Sequence, residues 1–171
     1  MIQIGAPAAT IDSPIDHLMA CHRRIEQRLD TLFNAAGQLE TDRAGALAAI
    51  QNSIRFMDTS GERHTEDEEA SLFPRLRQKL SSEEIAFLDS LEDQHVEAGS
   101  IYSELKHAAL DLAAEPTADS IRRYRECAER LRSLYRKHIR AEDEILTAIA
   151  RRSLDAGEIH EISREMRARR G

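Results

Sequence analysis

Histidine and glutamate recur at the same spacing in the two halves of this chain of 171 residues. The first half contains His22, His64 and, four residues later, Glu68. The second half contains the same residue types 73 or 74 positions further on, as His95, His138 and Glu142. Metal sites shared between helices are built from imidazole and carboxylate groups. The repeat therefore indicates one centre with two metal ions more than it indicates two unrelated histidine pairs.

Four segments carry apolar residues at spacings of three and four, which is typical of helices packed in a bundle. The first helix is predicted to begin at Ser13-Pro14 and to stop at Gly37. The second is predicted to run from about Asp42 to about Phe73, because a proline follows. Within it, the run Thr59-Ser60-Gly61 predicts a kink or a break.

Capping residues and a proline mark the later boundaries. The run Ser81-Ser82-Glu83-Glu84 predicts a capped start for the third helix, and Pro116 separates the third helix from the fourth. A last apolar stripe, ending in Met166, predicts a fifth helix that docks on the bundle. The predicted organisation is a leader of residues 1–12, an all-α, up-down-up-down four-helix bundle of residues 13–152, and a C-terminal helix or tail of residues 153–171.

Composition agrees with a helical chain from a reducing compartment. Aromatic residues make up 4% and charged residues 32%, with few glycines and prolines and no tryptophan, which favours a bundle. Cys21 and Cys127 form no CxxC motif, and no disulfide framework is indicated. The net charge of −7 argues against a nucleic-acid or anionic membrane surface. No run reaches the ~18 apolar residues of a membrane span.

The first residues, MIQIGAPAAT, lack the basic and apolar regions of a signal peptide. The sequence therefore predicts a cytoplasmic protein without nucleic acid or membrane as a partner. It leaves a monomer and a homodimer both open.

All six residues of the repeat occupy gaps in the apolar stripes and are therefore expected to face the core. Four imidazoles and two carboxylates would be costly to bury without partners. In each His-x3-Glu pair the two side chains share one helix face, so both can reach one site. Two metal ions roughly 3.5–4 Å apart would then take two histidines each and share Glu68 and Glu142. Mixed nitrogen and oxygen ligands suit iron, manganese or zinc.

At these residues the chain resembles the hemerythrin-like (HHE cation-binding) family. The resemblance rests on the segments CHRRIEQRLDTL, RHTEDEEASLFP, DQHVEAGSIY and KHIRAEDEIL and covers roughly residues 13–150. It implies two non-haem iron ions, oxo- or hydroxo-bridged. The ligands that it implies are His22, His64, Glu68, His95, His138 and Glu142.

Two positions depart from the oxygen-carrying members of that family. Gly99 stands where the carriers have a second histidine on the third helix. The carriers take their last carboxylate from the position of Asp143, whereas the internal repeat favours Glu142. The four-histidine, two-glutamate set instead resembles iron-centre repair proteins and iron-sensing domains.

The resemblance implies a di-iron protein that binds or senses a small ligand (O₂, NO or peroxide) or iron, in a stress response. Two alternatives stay open: a redox enzyme, either peroxidase-like or active in iron-sulfur cluster repair, and an interaction bundle without metal. The sequence identifies no redox partner. Small side chains at Gly61, Ala98 and Gly99 predict room for the ligand beside the histidine layer, with Tyr135 as a hydrogen-bond donor.

A few further residues carry weaker expectations. Glu26, four residues after His22, is expected to form a surface ion pair with a neighbouring arginine, with a contact to that imidazole as the alternative. His17, His107 and His160 lie off the apolar stripes and are expected at the surface. Cys21 is expected to be a small buried side chain, with a redox-active thiol as the alternative.

Overall fold

The computed structural model describes residues 11–171 and contains five helices there. Residues 1–10 of the predicted leader lie outside the described residues. The helices are α1 (Pro14–Ala35), α2 (43–77), α3 (Ser82–Ala114), α4 (118–153) and α5 (Ala156–Ala168). A 3₁₀ turn, Ala36–Gln38, follows α1. No strand occurs within 11–171, and the prediction of an all-α bundle with a short C-terminal helix is confirmed.

The starts of the helices follow from local capping chemistry. Ser81 accepts a hydrogen bond from the backbone N–H of Glu84, whose carboxylate accepts one from the Ser81 N–H. This reciprocal pair satisfies two backbone donors that the first turn of α3 leaves free. Thr117 and Ser120 form the equivalent pair at the start of α4. Pro14 occupies the first helical position of α1, as its fixed φ favours.

Three π-helical segments interrupt the long helices without ending them. They are Met57–Gly61 and Glu68–Leu72 in α2, and Glu142–Leu146 in α4. Each accommodates one extra residue in the helix and shifts the direction of the side chains that follow. Two of the segments begin at the glutamates of the repeat, so the repeat in sequence is also a repeat in backbone conformation.

The predictions about α2 have different outcomes. At Thr59-Ser60-Gly61, where a kink or a break was predicted, the helix continues without a break but contains the first π-helical segment. The predicted end at Phe73 is wrong, because the helix passes Pro74 and ends at Arg77. The N–H of Phe73 donates to the carbonyl of Glu68, five residues back. Pro74, which has no N–H to donate, lies in the first turn of the α-helical segment Phe73–Arg77, immediately after this change of register.

The core consists of two apolar clusters with a polar layer between them. One cluster, which includes Leu29, Leu105 and Tyr124, fills the end of the bundle where α1 finishes. The other fills the end where α1 begins and includes side chains of α5, of which Ile162 and Met166 are fully buried. The fifth helix is thus part of the second cluster, as its apolar stripe predicts.

The end of the chain also holds a buried charge. Asp67 is 0% exposed, and its carboxylate accepts hydrogen bonds from Arg169 at 2.8 Å and from Arg170 at 2.6 Å. We call these three residues the arginine clamp. A buried carboxylate needs such partners, so the residues after α5 stabilise the turn of α2 that immediately precedes Glu68.

Within the described part of the chain, no helix combines the length and the apolar composition that crossing a bilayer would require.

Candidate metal centre

The six residues of the repeat converge in the polar layer between the two apolar clusters. His22, His64, Glu68, His138 and Glu142 are 1–3% exposed, and the side chain of His95 is 6% exposed. One atom each of His22, His64, Glu68 and Glu142 lie within 4.8 Å of one another. The same holds for Glu68, His95, His138 and Glu142. The layer therefore contains two histidine pairs that share both carboxylates.

Each carboxylate turns one oxygen towards each histidine pair. Glu142 Oε2 lies 3.1 Å from His22 Nε2, and Glu142 Oε1 lies 3.1 Å from His138 Nε2. Glu68 Oε1 lies 3.4 Å from His64 Nε2, while Glu68 Oε2 faces His95 Nε2 at 3.6 Å. This is the arrangement that two bridging carboxylates require.

The nitrogen and oxygen atoms of the layer are arranged better for binding two metal ions than for hydrogen bonding among themselves. Four of them are buried without a hydrogen-bond partner among the described residues: His22 Nε2, Glu68 Oε2, Glu142 Oε1 and Glu142 Oε2. His95 Nε2 and His138 Nε2 lie only 2.9 Å apart. Two nitrogens bound at about 2.1 Å to one ion and about 90° apart have nearly this separation. Buried groups left without partners cost free energy, and bound cations would remove that cost.

Without bound cations, burial and neighbouring charges shift the pKa values of the ionisable groups in the layer. Burial and the neighbouring charge of Glu142 raise the pKa of Glu68 to about 8. Burial and the charge of His22 lower the pKa of His64 to about 3. Burial disfavours the charged form of His22, but the contact of its Nδ1 with Asp143 and the nearby carboxylates of Glu142 and Glu68 outweigh burial and raise its pKa to about 12. His22 therefore holds its proton strongly, and a cation bound at its Nε2 would have to displace that proton.

Three of the four imidazoles are fixed in orientation by a side-chain oxygen at Nδ1. Asp143 Oδ1 lies 2.7 Å from His22 Nδ1, and Glu69 Oε1 lies 2.8 Å from His95 Nδ1. Gln94 Oε1 lies 3.0 Å from His138 Nδ1. Such contacts set the tautomer so that Nε2 presents its lone pair to a metal.

The sequence argument did not identify these outer contacts, since it singled out neither Glu69 nor Gln94 and considered Asp143 only as a metal ligand in place of Glu142. Glu69 and Asp143 are 74 positions apart, so the repeat extends one residue beyond each glutamate, and this extension is the signal that could have identified them. The expected surface ion pair of Glu26 does not occur among the described residues, and the alternative contact with His22 is also wrong, because Asp143 lies at the outer nitrogen of that imidazole. Asp143 contacts the outer nitrogen of His22, whereas Glu142 lies among the inner donor atoms.

Changing Asp143 to Asn is expected to lower the affinity for Fe(II) by about 10- to 100-fold, because His22 loses the anion that orients it. Glu69→Gln should have a similar effect through His95. Competition with a chromophoric chelator under anaerobic conditions measures the affinity. Glu144→Gln is the matched control, since Glu144 pairs with Arg140 at the surface. Equal affinities in all three variants would show that the outer contacts do not matter.

A cleft of about 730 Å³ opens beside His95. All four residues predicted to form a ligand pocket line this cleft: Gly61, Ala98, Gly99 and Tyr135. Burial, followed by the charges of Glu68 and Glu142, raises the pKa of Tyr135 to about 12, so this phenol is a hydrogen-bond donor at neutral pH. On the opposite side of the layer, next to His22, the cavity is only about 10 Å³. The two histidine pairs therefore differ in access.

A hydrogen-bonded group closes one side of the cleft. The Tyr102 hydroxyl donates to the Ile54 carbonyl at 3.0 Å and to Asp58 at 2.9 Å, and Lys106 donates to the same carboxylate at 3.1 Å. Tyr102 and Lys106 both line the cleft.

The remaining sequence expectations have mixed outcomes. His107 and His160 are exposed, as expected, but His17 is half-buried because it lies in a pocket between helices. Cys21 is buried, and its sulfur accepts a hydrogen bond from Arg24 at 2.8 Å.

Comparison with known proteins agrees with the geometry. An uncharacterized protein of Haemophilus influenzae is 28% identical over 166 residues, which cover 95% of this chain and 92% of the relative. Iron-sulfur cluster repair protein YtfE of Escherichia coli is 26% identical over 118 residues, covering 67% of this chain. The matched region is 52% of the length of YtfE, so the chain corresponds to about half of that protein.

Most of the bundle matches a known domain family. Residues 13–150 match the hemerythrin HHE cation-binding domain, and this span contains the whole His and Glu cluster. The match and the cluster together identify a metal-binding protein. The chain belongs to the hemerythrin HHE cation-binding domain family.

Proposed function

We propose that the chain holds a non-haem di-iron centre and uses it to bind or sense a small ligand (O₂, NO or peroxide) or iron itself. The proposed ligands are His22, His64, Glu68, His95, His138 and Glu142. The observation that carries the proposal is the sharing of two buried carboxylates between two histidine pairs. Manganese or zinc would suit the same donors.

The number of donors supports small-ligand chemistry. A metal ion held by either histidine pair would have two imidazole nitrogens and an oxygen of each glutamate as donors, and this donor set would leave room for a small ligand to bind as well. A di-iron centre supplies reversible ligand binding and electron transfer. The protein contributes a site enclosed by two apolar clusters, and this environment limits the access of water.

The shape of the cleft indicates where the ligand enters. His95 belongs to the cleft wall, whereas His22 faces the closed side of the layer. A ligand therefore approaches the His95 and His138 pair, and the Tyr135 hydroxyl on the same wall can donate a hydrogen bond to it. Gly61 and Ala98 keep that approach open because their side chains are small.

Changing Gly61 to Leu is expected to prevent NO binding while iron stays bound. A Cβ at position 61 would lie 3.5 Å from the end of Met57, an ordinary contact, so a longer side chain is accommodated and occupies the cleft. Absorption and EPR titration of the Fe(II) protein with NO measure the effect, and elemental analysis measures the iron. Gly61→Ala, which adds only the Cβ, is the control and should bind NO normally. Undiminished NO binding by Gly61→Leu would contradict the proposed route.

Repair of iron-sulfur clusters is a second candidate function. The similarity to YtfE favours it, although the matched region covers only about half of that protein. Transfer of iron from the loaded chain to a damaged cluster, with recovery of the activity of the cluster enzyme, would support repair over ligand sensing. Steady turnover of peroxide would instead support a peroxidase-like enzyme.

An interaction bundle without metal is the least favoured alternative. The buried donor atoms without partners argue against it. A bundle of this kind would have the same thermal stability before and after treatment with a chelator.

A further inference from the structure

A second pocket, separate from the cleft, lies between α1, α2 and the end of the chain. Its volume is about 310 Å³, at the lower end of the range of small-molecule sites. It shares no lining residue with the cleft. The residues that line it are His17, Cys21, Arg24, Ser60, Arg63 and Arg170.

The lining is basic although the chain as a whole is acidic. Three of the six lining residues are arginines and none is a carboxylate, in a chain whose net charge is −7. We call this pocket the basic pocket. Like charges brought together around a cavity repel one another, and an anion in the cavity would convert that repulsion into attraction.

Two of the arginines have no carboxylate partner within residues 11–171. Arg24 contacts the sulfur of Cys21, and neither Arg24 nor Arg63 makes an ion pair there, whereas surface arginines such as Arg122 and Arg151 do. Arg170 is held by Asp67 and by the Met166 carbonyl. The basic pocket thus combines one guanidinium that is held by a carboxylate with two that have no carboxylate partner among the described residues.

We propose that the basic pocket binds a small molecule that carries a phosphate or carboxylate group. Guanidinium groups donate two parallel hydrogen bonds to such oxyanions, and several of them together select for the anion over neutral molecules. The Ser60 hydroxyl adds a donor on the α2 side. This proposal does not depend on the di-iron centre, because none of the six proposed ligands lines the pocket.

Calorimetric titration with inorganic phosphate, pyrophosphate and citrate at constant ionic strength tests the proposal. The double variant Arg24→Gln/Arg63→Gln should bind the preferred anion at least about tenfold more weakly than the unchanged chain, since two charge-assisted contacts are lost. Preference for pyrophosphate would identify a phosphate ligand, and preference for citrate a carboxylate ligand.

Arg23→Gln/Arg55→Gln is the matched control. It removes the same charge from exposed positions of α1 and α2 that do not line the pocket, and its affinity should stay within about twofold of the unchanged chain because exposed charges act weakly at a distance. Equal weakening in both double variants would mean only a general charge effect and would overturn the proposal. Absence of binding by all three anions at millimolar concentration would overturn it as well.

Discussion

The double variant His64→Ala/His138→Ala is expected to lose nearly all iron binding. It removes one imidazole from each histidine pair, so neither metal position keeps its set of donors. After anaerobic loading with Fe(II), elemental analysis should find about two iron ions per unchanged chain and fewer than about 0.2 per variant chain. The melting temperature should rise on loading only in the unchanged chain, because a ligand that binds the native state stabilises it.

A matched control removes two histidines from elsewhere in the chain. His107→Ala/His160→Ala also removes two imidazoles, but from exposed positions, and should retain full iron loading. If the His64→Ala/His138→Ala chain folds and binds as much iron as this control, the six residues are not the ligands. A zinc or manganese content near two per chain in the unchanged protein would instead assign another metal to the same site.

The double variant Arg169→Met/Arg170→Met is expected to cost about 3–5 kcal/mol of unfolding free energy, because Asp67 is left buried and charged without a partner. For a chain of this size that corresponds to a fall of about 10 °C in melting temperature. Thermal unfolding of the metal-free chain measures it. Adding Asp67→Asn to the double variant should restore part of the loss, since the unpaired charge is then gone.

Arg164→Met/Arg167→Met is the control on the same helix. These arginines pair at the surface with Glu161 and Asp12, and exposed pairs contribute less than about 1 kcal/mol each. A loss in the Arg169→Met/Arg170→Met chain no larger than in this control would show that the arginine clamp does not stabilise α2.

Much of the fold and the position of the site could be predicted from the sequence, because both follow from periodicity. The gaps in the apolar stripes place His22, His64 and His138 in the core, and the internal repeat places them at one level. The small residues Gly61 and Ala98 likewise indicate the cleft. Their role as a ligand route stays a prediction, as does the identity of the metal.

The features that were missed depend on contacts that periodicity does not encode. Counting in turns of 3.6 residues overlooks π-helical segments. The predicted end of α2 at Phe73 is too early because that prediction relies on Pro74 to end the helix, whereas the π-helical segment before it accommodates the proline. Glu69 and Asp143 are acidic residues at the edge of the layer. The extended repeat relates them to each other, but the histidine that each one contacts depends on the position of a partner helix. Asp67 and Arg170 are 103 positions apart, and no local pattern relates them.

The two halves of the bundle contribute equivalent residues to the polar layer. Each helical hairpin, α1 with α2 and α3 with α4, supplies two histidines and one glutamate. Each histidine pair also faces the glutamate of the other hairpin. One hairpin alone offers only half of the donors, and two copies of one hairpin would offer all of them. The bundle is therefore equivalent to a two-fold symmetric dimer of hairpins joined into a single chain, and the joining allows one half to open towards solvent while the other stays closed.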